Sequence, residues 1–127
     1  MPQPKNYIWA ELTAESKQLL ESLLPYKFER TFGTHITIDW GVDPRIYSDL
    51  IGKKFKLTID TLVFDENCEA ILVNLANTGI RSVNKNPHIT WSCKKEINPY
   101  YSNYLLHVSE QNTSFGPVEI EVEVVAD

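Results

Sequence analysis

Hydrophobic and polar residues alternate in several segments of the chain, which is the pattern of strands with one buried face. The alternating segments are Tyr7–Leu12, Thr34–Trp40, Phe55–Phe64, His88–Cys93 and Val118–Val124. A short apolar run, Ala70–Leu75, is typical of a central strand, and Asp65-Glu66-Asn67 predicts a hairpin turn ahead of it. The sequence therefore predicts six strands.

Two further segments carry apolar residues at helical spacing. The first is Ala14–Leu24, where the Thr13 hydroxyl can cap the first turn and Pro25 ends the helix. The second opens at Asn98-Pro99 and places its apolar side chains on one face, at Tyr101, Tyr104, Leu105 and Val108. The order β-α-β-β-β-β-α-β, with short links between most strands, predicts one α+β domain over residues 1–127 with a largely antiparallel sheet.

Charge restricts the partners that the protein can bind. There are 12 Lys and Arg against 17 Asp and Glu, for a net charge of −5. A protein that coats extended duplex nucleic acid usually carries the opposite balance, so a nucleotide ligand should be small or held by a local basic patch. One basic stretch, from Arg81 to Lys95, contains no acidic residue and includes Lys85 and Lys94. It can attract a phosphate group, or it can be an ordinary solvated loop.

The first residues of the chain and its cysteines allow a prediction of the cellular compartment. Met1–Asn6 lacks the apolar core of a signal peptide, and no apolar run is long enough to cross a bilayer. Cys68 and Cys93 lie 25 positions apart and match no zinc, redox or disulfide-scaffold pattern. We therefore expect a cytoplasmic protein (in the host cytoplasm if it is viral) with reduced thiols and no membrane partner, as a monomer or weak oligomer.

The most informative feature is a repeated tripeptide. His35-Ile36-Thr37 and His88-Ile89-Thr90 are identical, and each falls in a predicted strand. Side chains two positions apart in a strand share a face, so each copy presents an imidazole beside a hydroxyl while its isoleucine points into the core. If the two strands are neighbours, two histidines and two threonines surround one cleft.

That set of groups suits cleavage of a phosphodiester without a metal ion. One imidazole can take a proton from the attacking water while the other gives a proton to the leaving oxygen. The threonine hydroxyls can donate to the non-bridging phosphate oxygens. A single histidine on the polar face of a strand is usually an ordinary surface or core residue, but two identical copies favour catalysis. We expect both rings to face solvent, and we expect no cofactor, since no cluster has the ligand spacing of a metal site.

Aromatic and basic residues supply candidates for substrate binding. Tyr7 and Tyr100 can stack on a nucleobase, although packing in the core is the alternative for such residues. Lys85 and Lys94 lie in the basic stretch around the second motif. The three tryptophans are expected in the core instead of against a base: Trp9, Trp40 and Trp91.

The two motifs resemble the signature of the 2H phosphoesterase superfamily, H-x-[TS] followed by an apolar residue. Here they read His35-Ile36-Thr37-Ile38 and His88-Ile89-Thr90-Trp91. The segment from Leu50 to Lys54 before a strand, and Asn86-Pro87 before the second motif, are most similar to the cyclic phosphodiesterase domain of plant and fungal tRNA ligases. Small viral relatives are also similar.

The resemblance implies a bilobal, pseudo-twofold α+β fold with two main helices and a central groove lined by the motif strands. It implies metal-independent hydrolysis of 2′,3′-cyclic phosphates at RNA 3′ ends or in small nucleotides, as in RNA-end processing, with four catalytic residues: His35, Thr37, His88 and Thr90. Two alternatives stay open. The protein can instead degrade cyclic oligonucleotide signals, or it can bind nucleotides without turnover.

Overall fold

The computed structural model describes residues 7–76 and 78–126, so the expectation made for Met1–Asn6 lies outside the described residues. The described residues form seven strands, two α-helices and one 3₁₀ turn. In chain order these are β1 (Tyr7–Leu12), α1 (Ala14–Leu23), β2 (Arg30–Thr31), β3 (His35–Trp40), the 3₁₀ turn (Pro44–Tyr47), β4 (Lys54–Phe64), β5 (Cys68–Leu72), β6 (His88–Cys93), α2 (Tyr101–Val108) and β7 (Asn112–Ala126). The pattern did not predict β2, because two residues are too few to show an alternation.

The strands close into a barrel. Their order is β2-β6-β3-β1-β7-β4-β5, and β5 also pairs with β6, so that six of them form a ring with β2 attached to β6. Every pairing among the described strands is antiparallel. The bilobal, pseudo-twofold α+β fold expected from the resemblance is therefore wrong, because the β5–β6 pairing joins the sheet into one wall where two lobes with a central groove were expected.

One hydrophobic core fills the barrel, and a second cluster lies outside it. The core takes alternate residues of the ring strands, among them Ile8, Ile36 and Ile89, each 0% exposed. Helix α1 adds Leu20 to this core, while α2 packs Leu105 on the outer surface of β5. Strand β5 is thus covered on both faces, as expected for a central strand, although it spans Cys68–Leu72 and not the predicted Ala70–Leu75.

Two bulges change which side chains face outward. In β3, Ile38 is the extra residue, since Ile8 pairs with Asp39 and the next residue of β1 pairs with Thr37. In β6, Trp91 is the extra residue, because Glu69 pairs with Ser92 and its neighbour with Thr90. Each bulge reverses the alternation of the residues beyond it.

Two of the three tryptophans differ from expectation, and the Ile38 bulge accounts for one of them, Trp40. Trp91 is fully buried in the core, as predicted, and its ring stacks on Tyr26 with centroids 4.5 Å apart. Trp40 lies beyond the Ile38 bulge and is 50% exposed. Trp9 pairs with Thr37 and so lies on the outer face of the barrel. The expectation that all three pack in the core is wrong for Trp9 and Trp40.

The cysteines also differ from expectation. Cys68 and Cys93 pair across β5 and β6 and form a disulfide, so the two reduced thiols expected from the sequence are not present in the structure. Their partnership depends on the register of two strands and on the bulge that turns Cys93 toward α2, neither of which shows in the cysteine spacing. Within the described ranges, no helix is long and apolar enough to cross a membrane.

Candidate active site

The two motif strands are neighbours in the barrel wall. β3 and β6 run antiparallel, with Ile36 paired to Ile89, and both isoleucines point into the core. The residues on either side of each isoleucine must then point to the outer face of the wall. They are the four predicted catalytic residues, His35, Thr37, His88 and Thr90, which therefore share one outward-facing surface. We call this set the motif cluster.

Gly33 helps to fix the spacing of the two motifs. Its amide donates to Thr90 O at 2.8 Å, ahead of β3. Its φ is +70°, and a Cβ atom at this position would lie 2.6 Å from the Trp91 ring. Only glycine fits the backbone conformation and the close approach together.

Both histidine rings are more buried than expected. His88 is 7% exposed and His35 is half-buried, which corrects the expectation that both face open solvent. Burial lowers the pKa of both imidazoles from the ordinary 6.5. The nearby His35 lowers the pKa of His88 further, while the Glu11 carboxylate, paired with His35 across the strands, opposes the shift in the pKa of His35.

Hydrogen bonds orient the two rings. His88 Nδ1 lies 2.8 Å from the carbonyl oxygen of Asn86, which can only accept, so Nδ1 donates and the neutral ring carries its lone pair on Nε2. His35 Nδ1 lies 3.1 Å from the Thr34 hydroxyl, which can donate or accept. The tautomer of His88 is therefore fixed by its surroundings, and that of His35 can adapt.

The motif threonines each have a hydroxyl partner. Thr37 Oγ1 lies 2.8 Å from the Tyr7 phenol oxygen, and Thr90 Oγ1 lies 2.8 Å from Ser102 Oγ. Burial raises the pKa of the Tyr7 phenol, so it keeps its proton. The sequence singled out Tyr7 as a stacking residue, and the structure adds this contact with the motif cluster.

Strand β1 contributes neighbours that the sequence did not identify as site residues. Trp9 pairs with Thr37 and Glu11 pairs with His35, and Trp40, at the end of β3, pairs with Tyr7, so these side chains border the motif cluster. The Tyr7 ring lies 5.0 Å from the Trp9 ring and 6.0 Å from the His35 ring, centroid to centroid. The signal available was the alternation of β1, whose odd-numbered residues share the outer face.

The other predicted binding residues lie at different distances from the cluster. Tyr100 is 65% exposed and near enough to Tyr7 to contribute to the raised pKa of its phenol. Lys85 is exposed and lines, with Arg81, a shallow depression in the loop that leads into His88. Lys94 follows the far end of β6, about 20 Å along the chain from His88 at roughly 3.3 Å per residue. Lys94 therefore lies beyond the end of β6 opposite His88.

Carboxylates and thiols do not gather at the site. The described residues contain no group of three or more His, Cys, Asp or Glu side chains arranged to hold a metal ion. The chemical groups of the site are two imidazoles, two hydroxyls, the Glu11 carboxylate beside His35 and the aromatic border.

Comparison with known proteins identifies the family. A family model described as the fungal tRNA ligase phosphodiesterase domain matches residues 3–127, which include both motifs. A search of curated proteins finds no match. The family match confirms the resemblance drawn from the motif residues and indicates a phosphodiesterase that acts on cyclic phosphates. The chain belongs to the fungal tRNA ligase phosphodiesterase domain family.

Proposed function

We propose that the protein hydrolyses 2′,3′-cyclic phosphates at RNA 3′ ends or in small nucleotides, by paired-histidine catalysis and without a metal ion. The observation that carries the proposal is the pairing of Ile36 with Ile89, because it requires both His-x-Thr motifs to face the same side of the wall. The family name, with its tRNA ligase, supports an RNA end as substrate.

The reaction divides between the two imidazoles. A neutral imidazole takes a proton from water, whose oxygen attacks phosphorus, and the other imidazole, protonated, gives its proton to the ribose oxygen that leaves. One P–O bond forms and one P–O bond breaks, so the ring opens to a phosphate monoester. The hydroxyls of Thr37 and Thr90 donate to the non-bridging oxygens as charge develops on them. Which ring is the base depends on how the substrate lies.

We expect turnover of a 2′,3′-cyclic mononucleotide and of an RNA oligonucleotide ending in a 2′,3′-cyclic phosphate, with rates unchanged by excess EDTA. The physical reason is that imidazoles perform the proton transfers and hydroxyls stabilise the charge, so no step needs a Lewis acid. Turnover is followed by phosphorus NMR, which also shows whether the phosphate stays at the 2′ or the 3′ oxygen.

Three results would count against this proposal. Loss of activity in EDTA, restored by a divalent ion, would contradict the metal-free mechanism. Binding of both substrates without cleavage would identify a nucleotide-binding module instead. Activity that survives the His88→Asn substitution, when a mock purification without the protein is inactive, would show that the paired-histidine mechanism is wrong.

The lowered histidine pKa values make a prediction about pH. In the free enzyme one ring must be neutral and the other protonated, and both have a pKa below 6.5. The kcat/KM profile should therefore be bell-shaped with its maximum below pH 6.5, midway between the two apparent pKa values of the coupled pair. Bound phosphate favours the protonated ring, so the maximum of kcat should lie at higher pH. A kcat/KM maximum at or above neutral pH would contradict this reading of the site.

The same pKa shifts predict how stability depends on pH. A histidine with a lowered pKa binds protons less readily in the folded state than in the unfolded state. The free energy of unfolding should then fall as the pH drops below 6.5, the ordinary histidine value. Urea unfolding at several pH values measures this slope, and replacing His35 or His88 with Asn should reduce it.

A second candidate substrate is a cyclic oligonucleotide signal. The net charge of −5 favours a small ligand over a long RNA. A 3′-5′-linked cyclic dinucleotide in the same assay distinguishes the two candidate substrates. Its phosphodiester can be cleaved only if both nucleosides fit around the motif cluster. Faster turnover of the dinucleotide than of the 2′,3′-cyclic mononucleotide would favour this second candidate.

A further inference from the structure

The threonine of the second motif has a hydrogen-bond partner that belongs to neither motif. Ser102 lies in the first turn of α2, is 0% exposed, and has its Oγ 2.8 Å from Thr90 Oγ1. Among the described residues, the other side-chain partner of Ser102 Oγ is Cys68 Sγ, at 3.8 Å. A serine hydroxyl donates one hydrogen bond, and the candidate acceptors here are Thr90 Oγ1 and Cys68 Sγ.

The direction of the bond follows from this choice. Cys68 is in a disulfide, so its sulfur has no hydrogen to donate and is a weak acceptor. A buried O–H left without an acceptor is costly, so the Ser102 hydrogen belongs to Thr90 Oγ1. Thr90 is only half-buried and keeps its own hydrogen free.

We infer that Ser102 is a positioning residue, which donates to Thr90 Oγ1 and thereby directs the Thr90 hydrogen to a non-bridging oxygen of the phosphate. This inference rests on the proposed function, since it assigns what Thr90 does with its hydrogen during hydrolysis. A hydroxyl that already accepts a hydrogen bond is polarised and donates more strongly. It is also held in one orientation before the substrate arrives.

The packing of α2 fixes the position of this serine. Leu105 follows Ser102 by three residues, on the same face of the helix, and is 0% exposed in the cluster under α2. The Ser102 hydroxyl therefore sits where the helix docks on the barrel, and solvent does not compete for its hydrogen.

The first motif provides a comparison. Thr37 has the Tyr7 phenol at the same distance, but Tyr7 is only half-buried, so its hydrogen can also go to water. The burial of Ser102 determines which hydroxyl donates in the bond to Thr90, whereas the partial exposure of Tyr7 leaves the donor in the bond to Thr37 undetermined. The inference is therefore limited to Ser102.

The test compares Ser102→Ala with a serine at the other end of the same helix. We expect Ser102→Ala to lower kcat by about 10-fold with KM changed by less than about twofold, as for loss of an interaction made in the transition state. Ser109 Oγ donates to Phe64 O at 2.8 Å, away from the motif cluster. Ser109→Ala should lower the melting temperature by about as much as Ser102→Ala does, and it should leave kcat unchanged.

A double-mutant cycle then tests whether Ser102 acts through Thr90. In a Thr90→Val background, Ser102→Ala should cause no further loss of kcat. A further 10-fold loss in that background, or an unchanged kcat in the single variant, would overturn the inference while the activity of the unmodified protein still supports the proposed function.

A measurement without turnover separates the two proposals. The Ser102 hydroxyl proton should exchange slowly with water and show a nuclear Overhauser effect to the Thr90 methyl group. If no substrate is cleaved but this signal is present, the proposed function fails and the hydrogen-bond direction stands. A rapidly exchanging proton would overturn the inference whatever the activity.

Discussion

The His88→Asn variant should lose about 10²–10⁴-fold in kcat, the usual contribution of one group in acid–base catalysis, while remaining folded. Asparagine places an amide nitrogen near the position of His88 Nδ1, so the hydrogen bond to the Asn86 carbonyl can persist. It has no group that titrates near neutral pH. Alanine would confuse the result, because His88 is 7% exposed and its removal would leave a cavity.

Substitutions of the other two histidines test whether the loss of kcat is specific to the motif pair. His35→Asn should show a loss of the same order, and the double variant should lose little more than either single one, since the two rings act as a pair. His107 is the remaining histidine, exposed in the last turn of α2, and His107→Asn should retain full activity. A His88→Asn protein with more than a tenth of the original kcat would exclude the paired-histidine mechanism.

The second large effect is expected for Thr37→Val, which should lower kcat by about 10²–10³-fold, the cost of removing one donor to a developing oxyanion. Valine has nearly the same shape as threonine, so the Ile36–Ile89 pairing and the wall should be preserved. Tyr7 loses its partner but is half-buried and can reach water. Steady-state kinetics at saturating substrate measure the change.

Thr58 supplies the control for this variant. It is exposed on β4 and pairs with Glu119 of β7, and β4 pairs with neither motif strand, so Thr58→Val should leave kcat unchanged. A loss in Thr37→Val that appears only as a raised KM would mean that the hydroxyl binds the ground state, and the assigned role in the transition state would be wrong.

Short-range patterns predicted most strands and the shared face of the motifs. β1 and β6 have the bounds expected from alternation, and Thr13 caps α1 as its position suggested. Within each tripeptide, the two-residue spacing predicted that histidine and threonine share a face, and the shared site was expected only if the two strands were neighbours, which the pairing of Ile36 with Ile89 makes them. These features depend on residues a few positions apart, where side-chain direction follows directly from the sequence.

The features that the sequence did not predict depend on long-range pairing or on single extra residues. The predicted hairpin placed the Ala70–Leu75 run beside β4, but a strand that is apolar on both faces can have any second neighbour, so the run did not reveal that β5 also pairs with β6 and closes the ring. The bulges at Ile38 and Trp91 add one residue each, which a two-residue period cannot show. They turned Trp40 outward and brought the two cysteines together.

The partners of the motif residues were hardest to foresee. Ser102 lies in a helix whose apolar positions gave no reason to select its serine over the other polar residues of that segment. Its proximity to Thr90 arises from the docking of α2 on the outer wall. Contacts of this kind follow from tertiary packing, which alternation and helical spacing do not encode.

The ring of six strands has a consequence for substrate binding and product release. In the described part of the chain, each ring strand is bonded on both sides, so the wall offers no hinge about which two halves can swing. The motif cluster stands on the convex outside of that wall, supported by a close-packed interior. We therefore expect product release to require no opening of the ring, so that its rate depends on how tightly the side chains around the two histidines bind the product.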